Sequence, residues 1–582
     1  ARGAPLEQLA AHLAASEPSG DEWVARKLEE AGSLALGQGA SLEAIGYFNR
    51  ARAELPAAQS SPEILLGLAR AESSLRRRSA LKHLRLALDQ PVDPRAAALA
   101  TMQVARAFND LEARTELGPM LERTAELLSD EETDGKIDVA VAMGLIATSP
   151  QAPVLATESL RSAVGSRPDP GTRGEREALA LIAVVDSASP RRAPRAELVA
   201  LIRRAVLGAE FVSEDPLRCE LWARVLLALA RSSEFEEADR LARAAQAVAR
   251  LQRLEYAEAE FSTTLAMSLA LQGQLVEAEV EVSRALSVME EQPWPRRVEA
   301  VACLASLCLD QGRTEEAERL IAPFEEPDGL PSPLGGAVLL EQRGRVRCLQ
   351  GRRSEALADL FRAGRRAGEC DVDSPVVTSW RSEAALTLAA EGWESDAVRF
   401  AEENLELARA HGAHWVVGAA LHVLACVGPA DRRLARLEEA VELLEGSPAQ
   451  LRFASATIDL GRVLRESGSS SMRIRSLLRD AADLAFRSRA TPLVSSAMTE
   501  LRLSGARPRR LALSGADSLT SSERRVASLA VDGLSNAEIA VALFLAEKTV
   551  EGHLGHAFRK LGIRSRRDLE ALGDLGPEES TG

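Results

Sequence analysis

Along most of the chain, apolar residues recur on a helical period, and one short phrase returns again and again. A helix ends at a small residue, usually Gly, and the next helix carries Ala five positions later. Gly39 leads to Ala44, Ser233 to Ala238, Gly273 to Ala278, Gly312 to Ala317, Gly351 to Ala356 and Gly392 to Ala397. From Ser233 onward the anchors lie 40, 39, 39 and 41 residues apart. A fixed period of this length with two helices per unit is the signature of stacked helical hairpins. Gly permits the tight reversal between antiparallel helices, because it enters the left-handed region without a Cβ clash. Ala at the following position lets the two helices approach closely. Between Ser60 and Val212 the phase is weaker, and Ser149-Pro150, Arg167–Pro170 and Ser189–Pro194 mark loops between hairpins.

The pattern changes over Leu519–Leu572. Three helix starts are written there: Thr520 with Glu523, Ser535 with Glu538, and Ser565 with Asp568. Each places a hydroxyl three residues before a carboxylate, the spacing at which both satisfy free N–H groups at a helix start. Gly533 stops the first helix, and the second, Asn536–Leu543, has only two turns. Phe544–Ala546 then leads into a longer helix running to about Leu561. Its apolar stripe is Val550, Leu554, Ala557, Phe558 and Leu561, with Lys548, Gly552, Gly555, His556 and Arg559 opposite. A short helix, a tight turn and a longer two-faced helix make a helix-turn-helix, whose polar front would enter a major groove. By periodicity alone, a small helical bundle with a solvated face fits equally well.

The segment LTSSERRVASLAVDGLSNAEIAVALFLAEKTVEGHLGHAFRKLGIRSR resembles the LuxR-type helix-turn-helix of bacterial transcription regulators. The matching positions include Glu523-Arg524, Gly533, Ser535-Asn536, Glu538-Ile539-Ala540, Thr549-Val550, His553-Leu554, Arg559 to Gly562 and Ser565-Arg566. The resemblance implies that positions Glu551, Gly552 and Gly555 face the bases. Of these only Glu551 has a side chain for base readout, as an acceptor from a cytosine amino group. The glycines would let the backbone approach closely. Lys548, Thr549, Arg559 and Lys560 would contact phosphates, which position a protein without reading sequence. His553 and His556 either join them or are ordinary surface or half-buried histidines. Ser565 and Arg566 complete the expected DNA-binding set.

Two departures weaken the recognition helix. Family members usually carry Ser or Thr at the position of Ala546, and losing such an N-cap costs about 1 kcal/mol. Gly552 and Gly555 each cost roughly 1 kcal/mol relative to Ala in a helix interior.

The repeats most resemble tetratricopeptide repeats, with a longer period. The segment from Leu9 to Ala51 resembles the part of large ATP-binding LuxR-family regulators that follows their nucleotide-binding module. Arg502–Ser518, with its helix breakers and Arg507, Arg509 and Arg510, resembles their linker. No GxxxxGK[ST] phosphate loop occurs in the chain, so ATP is expected only if an upstream module exists. The chain opens on Ala1 rather than Met. The expectation is therefore the C-terminal part of such a regulator, or a natural version lacking the ATPase.

Composition agrees with an all-α chain. It has 582 residues, 46% of them hydrophobic, with Ala, Leu, Glu and Arg dominant and only 3% aromatic. Net charge is −15, which alone would oppose DNA binding. The charge is uneven: Arg502–Leu572 holds 12 basic and 8 acidic residues, leaving −19 for the remainder. A local +4 is weak, because affinity grows with the phosphates neutralised, so self-association is expected to be needed. The six cysteines show no CxxC and no metal-ligand spacing, which reads as free thiols in a reducing cytoplasm. No apolar run is long enough to span a bilayer, and no HExxH, GxSxG or His-carboxylate cluster suggests an enzyme. Trp222, Tyr256, Phe261, Trp294, Trp380 and Trp415 either line a concave binding face or fill gaps between hairpins.

The sequence thus predicts an all-α protein: a helical-hairpin, tetratricopeptide-like solenoid over residues 1–500, a linker over 501–518, a LuxR-type helix-turn-helix over 519–575 and a disordered tail over 576–582. The expected function is DNA-binding transcriptional regulation, with a small-molecule or protein inducer on the repeats. The alternative is a helical-repeat interaction scaffold whose terminal module has lost DNA binding.

Overall fold

The computed structural model describes residues 6–55, 61–108, 111–128, 133–146, 157, 160–161, 172–289, 296–324, 333–469, 471–506, 519, 521–543, 545, 547–561, 563 and 565–572. Every regular element among them is a helix. The linker residues 507–518, Thr520, Ala546, Trp294 and the tail 573–582 lie outside the described residues. The chain divides into two compact units, one of residues 1–309 with 313–429, the other of 310–312 with 430–582.

The first unit is the expected stack of hairpins. Gly39, Gly273, Gly351 and Gly392 all turn with φ between +78° and +84°, in the left-handed region. Ser233, which replaces Gly at one anchor, adopts φ +73°. Each anchor's partner is buried: Ala44, Ala278, Ala356 and Ala397 are fully inaccessible and Ala238 nearly so. The period of the sequence is therefore the period of the turns.

The stack has two layers. The first helices of successive hairpins pack directly on one another, as Pro216–Arg231 does on Arg173–Ser187 and on Glu255–Gln272. Trp380–Ala390 does the same with Pro333–Leu349 and His414–Val427. The second helices, such as Phe235–Gln252 and Glu394–His411, pack on the two first helices that flank them. The first helices are thus the inner layer of a curved stack.

The curvature brings residues about 180 positions apart into contact. The Ala188 carbonyl accepts from the amides of Asp373 and Ser374, both at 3.1 Å. Arg191 pairs with Asp373, and Arg192 with Asp371. Trp415 donates to the Ser233 hydroxyl at 3.0 Å and packs against Phe235. The Ser189–Pro194 loop marked by its prolines is one edge of this seam. Of the aromatics considered for a concave face, Trp222, Phe261 and Trp415 are buried between helices, and Trp380 packs on Phe400 and Gly364. They fill gaps.

The inner layer carries a buried ionic cluster that apolar periodicity does not announce. Arg296, wholly inaccessible, donates to Glu260 at 2.6 Å and to Glu299 at 3.1 Å. Arg224 joins Glu299 at 3.2 Å to Glu220 at 3.0 Å, and Arg114 donates to Glu220 at 2.5 Å. Burial pushes the Glu299 carboxyl up, but Arg224 and Arg296 outweigh it and bring it down to about 2.

The second unit opens with two more hairpins, Ala430–Leu444 with Gln450–Glu466 and Ser471–Arg487 with Thr491–Leu503. Arg462 and Arg465 donate to the two oxygens of Glu500 at 2.8 and 3.0 Å, tying these hairpins together. Four short helices of the C-terminal module complete it. The described cysteines are free, with Cys219, Cys303 and Cys308 buried. Among the described residues no helix is long and apolar enough to cross a membrane.

Candidate nucleic-acid interface

The module's helices are Ser521–Val531, Asn536–Leu543, Glu547–Leu561 and Arg566–Leu572. Two of the three anticipated helix starts close reciprocally. The Ser535 amide donates to Glu538 at 2.7 Å, and the Glu538 amide to the Ser535 hydroxyl at 3.3 Å. Ser565 and Asp568 do the same at 3.0 and 3.3 Å. Ser535 thereby holds the Glu538 carboxyl below its ordinary range. The third start rests on Thr520, outside the described residues. Gly533, at φ +88°, ends the first helix as its sequence position requires.

One core holds the four helices. Val526, Ala527 and Ala530 of the first meet Ile539 and Ala540 of the second, Val550, Leu554 and Ala557 of the third, and Leu569 of the fourth. Phe558 and Leu561 pack at its margin. The whole apolar stripe read from the third helix is therefore turned inward.

Its other face is open. Lys548, Thr549, Glu551, Gly552 and Gly555 are exposed, and His553 is half-buried. A Cβ built on Gly552 or Gly555 would meet nothing within 4 Å. The side chains of His556, Arg559 and Lys560 lie outside the described residues. Among the described residues, the outward face of the third helix thus carries Lys548, Thr549 and Glu551 beside two glycine positions with open space around them.

A family model described as bacterial regulatory proteins, luxR family, matches residues 517–571. The spore germination protein GerE of Bacillus subtilis (strain 168) is 46% identical over 61 residues, which are 10% of this chain and 82% of GerE. The chain belongs to the LuxR family. A Streptomyces halstedii protein named as an HTH-type transcriptional regulator, GfsR, is 47% identical over 62 residues, 10% of this chain and 26% of that one. A Mycobacterium tuberculosis (strain ATCC 25618 / H37Rv) protein, also named as an HTH-type transcriptional regulator, is 49% identical over 55 residues. The match spans only 6% of that mycobacterial relative's length. Among solved structures, the Cut9–Hcn1 hetero-tetramer of APC/C is similar at 12% identity and TM-score 0.42, over 85% of this chain and 98% of that chain.

Within this LuxR-family module, two members of the expected DNA-binding set do structural work. Ser565 caps the fourth helix. Arg566 is half-buried, and its guanidinium donates to the carbonyls of Leu534 and Ala530 and to Asn536 Oδ1. It links the fourth helix to the turn between the first and second, some 30 residues away. No periodic signal marks this tie, because it joins a helix start mainly to backbone carbonyls at the end of the first helix and in the turn after it. Removing it with Arg566→Ala should destabilise the module by about 1.5 kcal/mol, as expected for charge-assisted hydrogen bonds. Faster amide exchange in Ser521–Val531 and Asn536–Leu543 of the full chain is the readout.

Proposed function

We propose that this chain is a DNA-binding transcription regulator whose helical-repeat arm senses a ligand or partner and whose C-terminal module binds promoter DNA. The observation that carries it is the third helix of a LuxR-family module, apolar stripe buried, opposite face exposed and bearing Lys548, Thr549, Glu551 and two glycines. In this reading Lys548, Thr549, Arg559 and Lys560 hold phosphates, with His553 and His556 beside them, and Glu551 reads a cytosine. Ser565 and Arg566 support the interface from behind by holding the module together. The functional division is an arm over 1–500, a linker over 501–518, a DNA module over 519–575 and a tail over 576–582. Self-association of the chain adds the affinity that a local +4 does not supply, by raising the effective concentration of a second module.

The test is a fluorescence-anisotropy titration of the full chain against promoter DNA across a salt series. Binding should weaken steeply with salt. Lys548→Ala with Arg559→Ala should reduce the slope of log affinity against log salt by about 2, the share of two phosphate contacts. The side-chain-poor face also supports a second reading, an interaction scaffold with a degenerate DNA module. A slope near zero in the unmodified chain would establish that alternative and remove the first.

A further inference from the structure

The seam that closes the curved stack is not part of the packing that builds it. In stacked hairpins each unit is held by its neighbours, so a contact between units some 180 residues apart can break without unfolding a hairpin. Loops and helix ends, rather than helix faces, make its two edges. One edge is the stretch from Ala188 to Arg195 with the Ser232-Ser233 turn and Phe235. The other is the loop 371–379 with Arg381, His411 and Trp415. The contacts between them are sparse and largely polar. The Ala188 carbonyl takes two amides, Arg191 and Arg192 reach Asp373 and Asp371, and Trp415 reaches Ser233 and Phe235. Each ion pair has one exposed member, Arg191 or Asp371, and exposed pairs contribute little.

The closed seam also buries polar atoms that it does not satisfy. Asp373 Oδ1, Ser374 Oγ, Thr378 Oγ1, Arg381 Nε and His411 Nδ1 are buried without a hydrogen-bond partner among the described residues. Ser374 is wholly inaccessible and Thr378 nearly so. Asp373 and Ser374 are the residues whose amides meet Ala188, and the Thr378 amide donates to the Ser374 carbonyl at 3.3 Å. Arg381 lies close enough to feel the charges of Asp373 and Arg191, and His411 that of Arg195. A buried donor or acceptor without a partner loses its hydration and gains nothing in return. Parting the edges returns such atoms to water. Closure is therefore opposed at the very place where it is made, and the joint is close to balance.

We propose that this seam is a latch: the two edges part and rejoin while every hairpin stays folded, and its position is the two-state element through which the arm signals. As a regulatory device it deepens the sensing role proposed for the arm and rests on it. A ligand or partner shifts such an element only by its differential affinity for the two states, and a joint near balance needs little.

The test is hydrogen exchange of the full chain, read on the segment 371–379 and, as a reference, on the Pro216–Arg231 helix. In the unmodified chain the Asp373 and Ser374 amides should exchange well before the helix. Arg191→Gln with Asp371→Asn removes one member of each ion pair, and Asn tolerates the left-handed backbone of Asp371. This variant should speed exchange of the segment about fivefold and leave the helix unchanged. Ser374→Ala with Thr378→Val removes two unsatisfied hydroxyls and should slow the segment about tenfold. Exchange of the segment in step with the helix, in any of the three chains, overturns the latch. So does faster or unchanged exchange of the segment in Ser374→Ala with Thr378→Val. Promoter affinity of the two variants should shift in opposite directions. If exchange moves as expected while both variants bind promoter DNA like the unmodified chain, the signalling role is overturned. If the unmodified chain binds no promoter DNA, the DNA reading fails, and exchange still decides the latch.

Discussion

Arg296→Leu is expected to lower the stability of the first unit by about 3–5 kcal/mol, the range for removing one partner from a buried ion pair. The side chain is wholly inaccessible, and its loss leaves Glu260 without its hydrogen-bonded counter-charge, only the more distant Arg224 still attracting it. Glu299 fares better, since it keeps Arg224 at 3.2 Å. The damage therefore comes mainly from one carboxylate, and Arg296→Met combined with Glu260→Met should recover most of it. Chemical denaturation of the full chain, followed through the buried Trp222, measures both variants. Equal destabilisation by the single and double changes would mean that packing around Arg296, rather than charge, holds the layer. The pH dependence has a definite sign. The folded-state pKa of Glu299 lies near 2, below its ordinary 4.5. Its contribution is thus complete above about pH 4.5 and is lost as pH falls toward 2. In the Arg296 variant this acid transition should begin at higher pH, because the arginine that both pairs with Glu299 and hydrogen-bonds to it is gone.

The sequence carried the hairpins because a reversal between antiparallel helices has few solutions. Gly39, Gly273, Gly351 and Gly392 occupy the left-handed conformation that the turn demands, and the Ala five positions on is buried at each. Ser233 shows that the turn, and not the residue, is what repeats: it takes the same conformation and adds a hydroxyl for Trp415. In the module, the stripe Val550–Leu561 was readable because burial of one helix face imposes a 3.6-residue period. The ionic cluster was not readable for the converse reason. Glu220 and Arg224 look like a solvated i, i+4 pair, and only the approach of helices about 75 residues apart puts Glu299 beside them. The seam from Ala188 to Asp373 and the Arg566 tie are invisible in the same way. Backbone carbonyls accept these bonds, and a carbonyl leaves no mark in the amino-acid pattern.

The third helix offers a sharper test, in which stability and binding should move in opposite directions. Gly552→Ala with Gly555→Ala adds two methyl groups that meet nothing within 4 Å. Neither glycine lies in the left-handed region, so no backbone strain opposes the change. Each substitution should favour the helix by roughly 1 kcal/mol, the difference between Gly and Ala in a helix interior. Together they should slow amide exchange across Glu547–Leu561 by about 30-fold, if local opening limits exchange there. A scaffold with an idle module would gain this stability and lose nothing. A DNA reader would not, because the exposed face is where the groove must come closest, and two methyl groups hold the backbone away from the base edges. The expected result is slower exchange in the free chain and weaker promoter binding at every salt concentration. The salt slope itself should stay nearly constant, since the change leaves Lys548 and Arg559, the residues proposed to hold phosphates, untouched. Slower exchange with unchanged affinity would show that the glycines do not line the groove. The base-facing role would then have to move to Glu551 and the N-terminal turn of the helix.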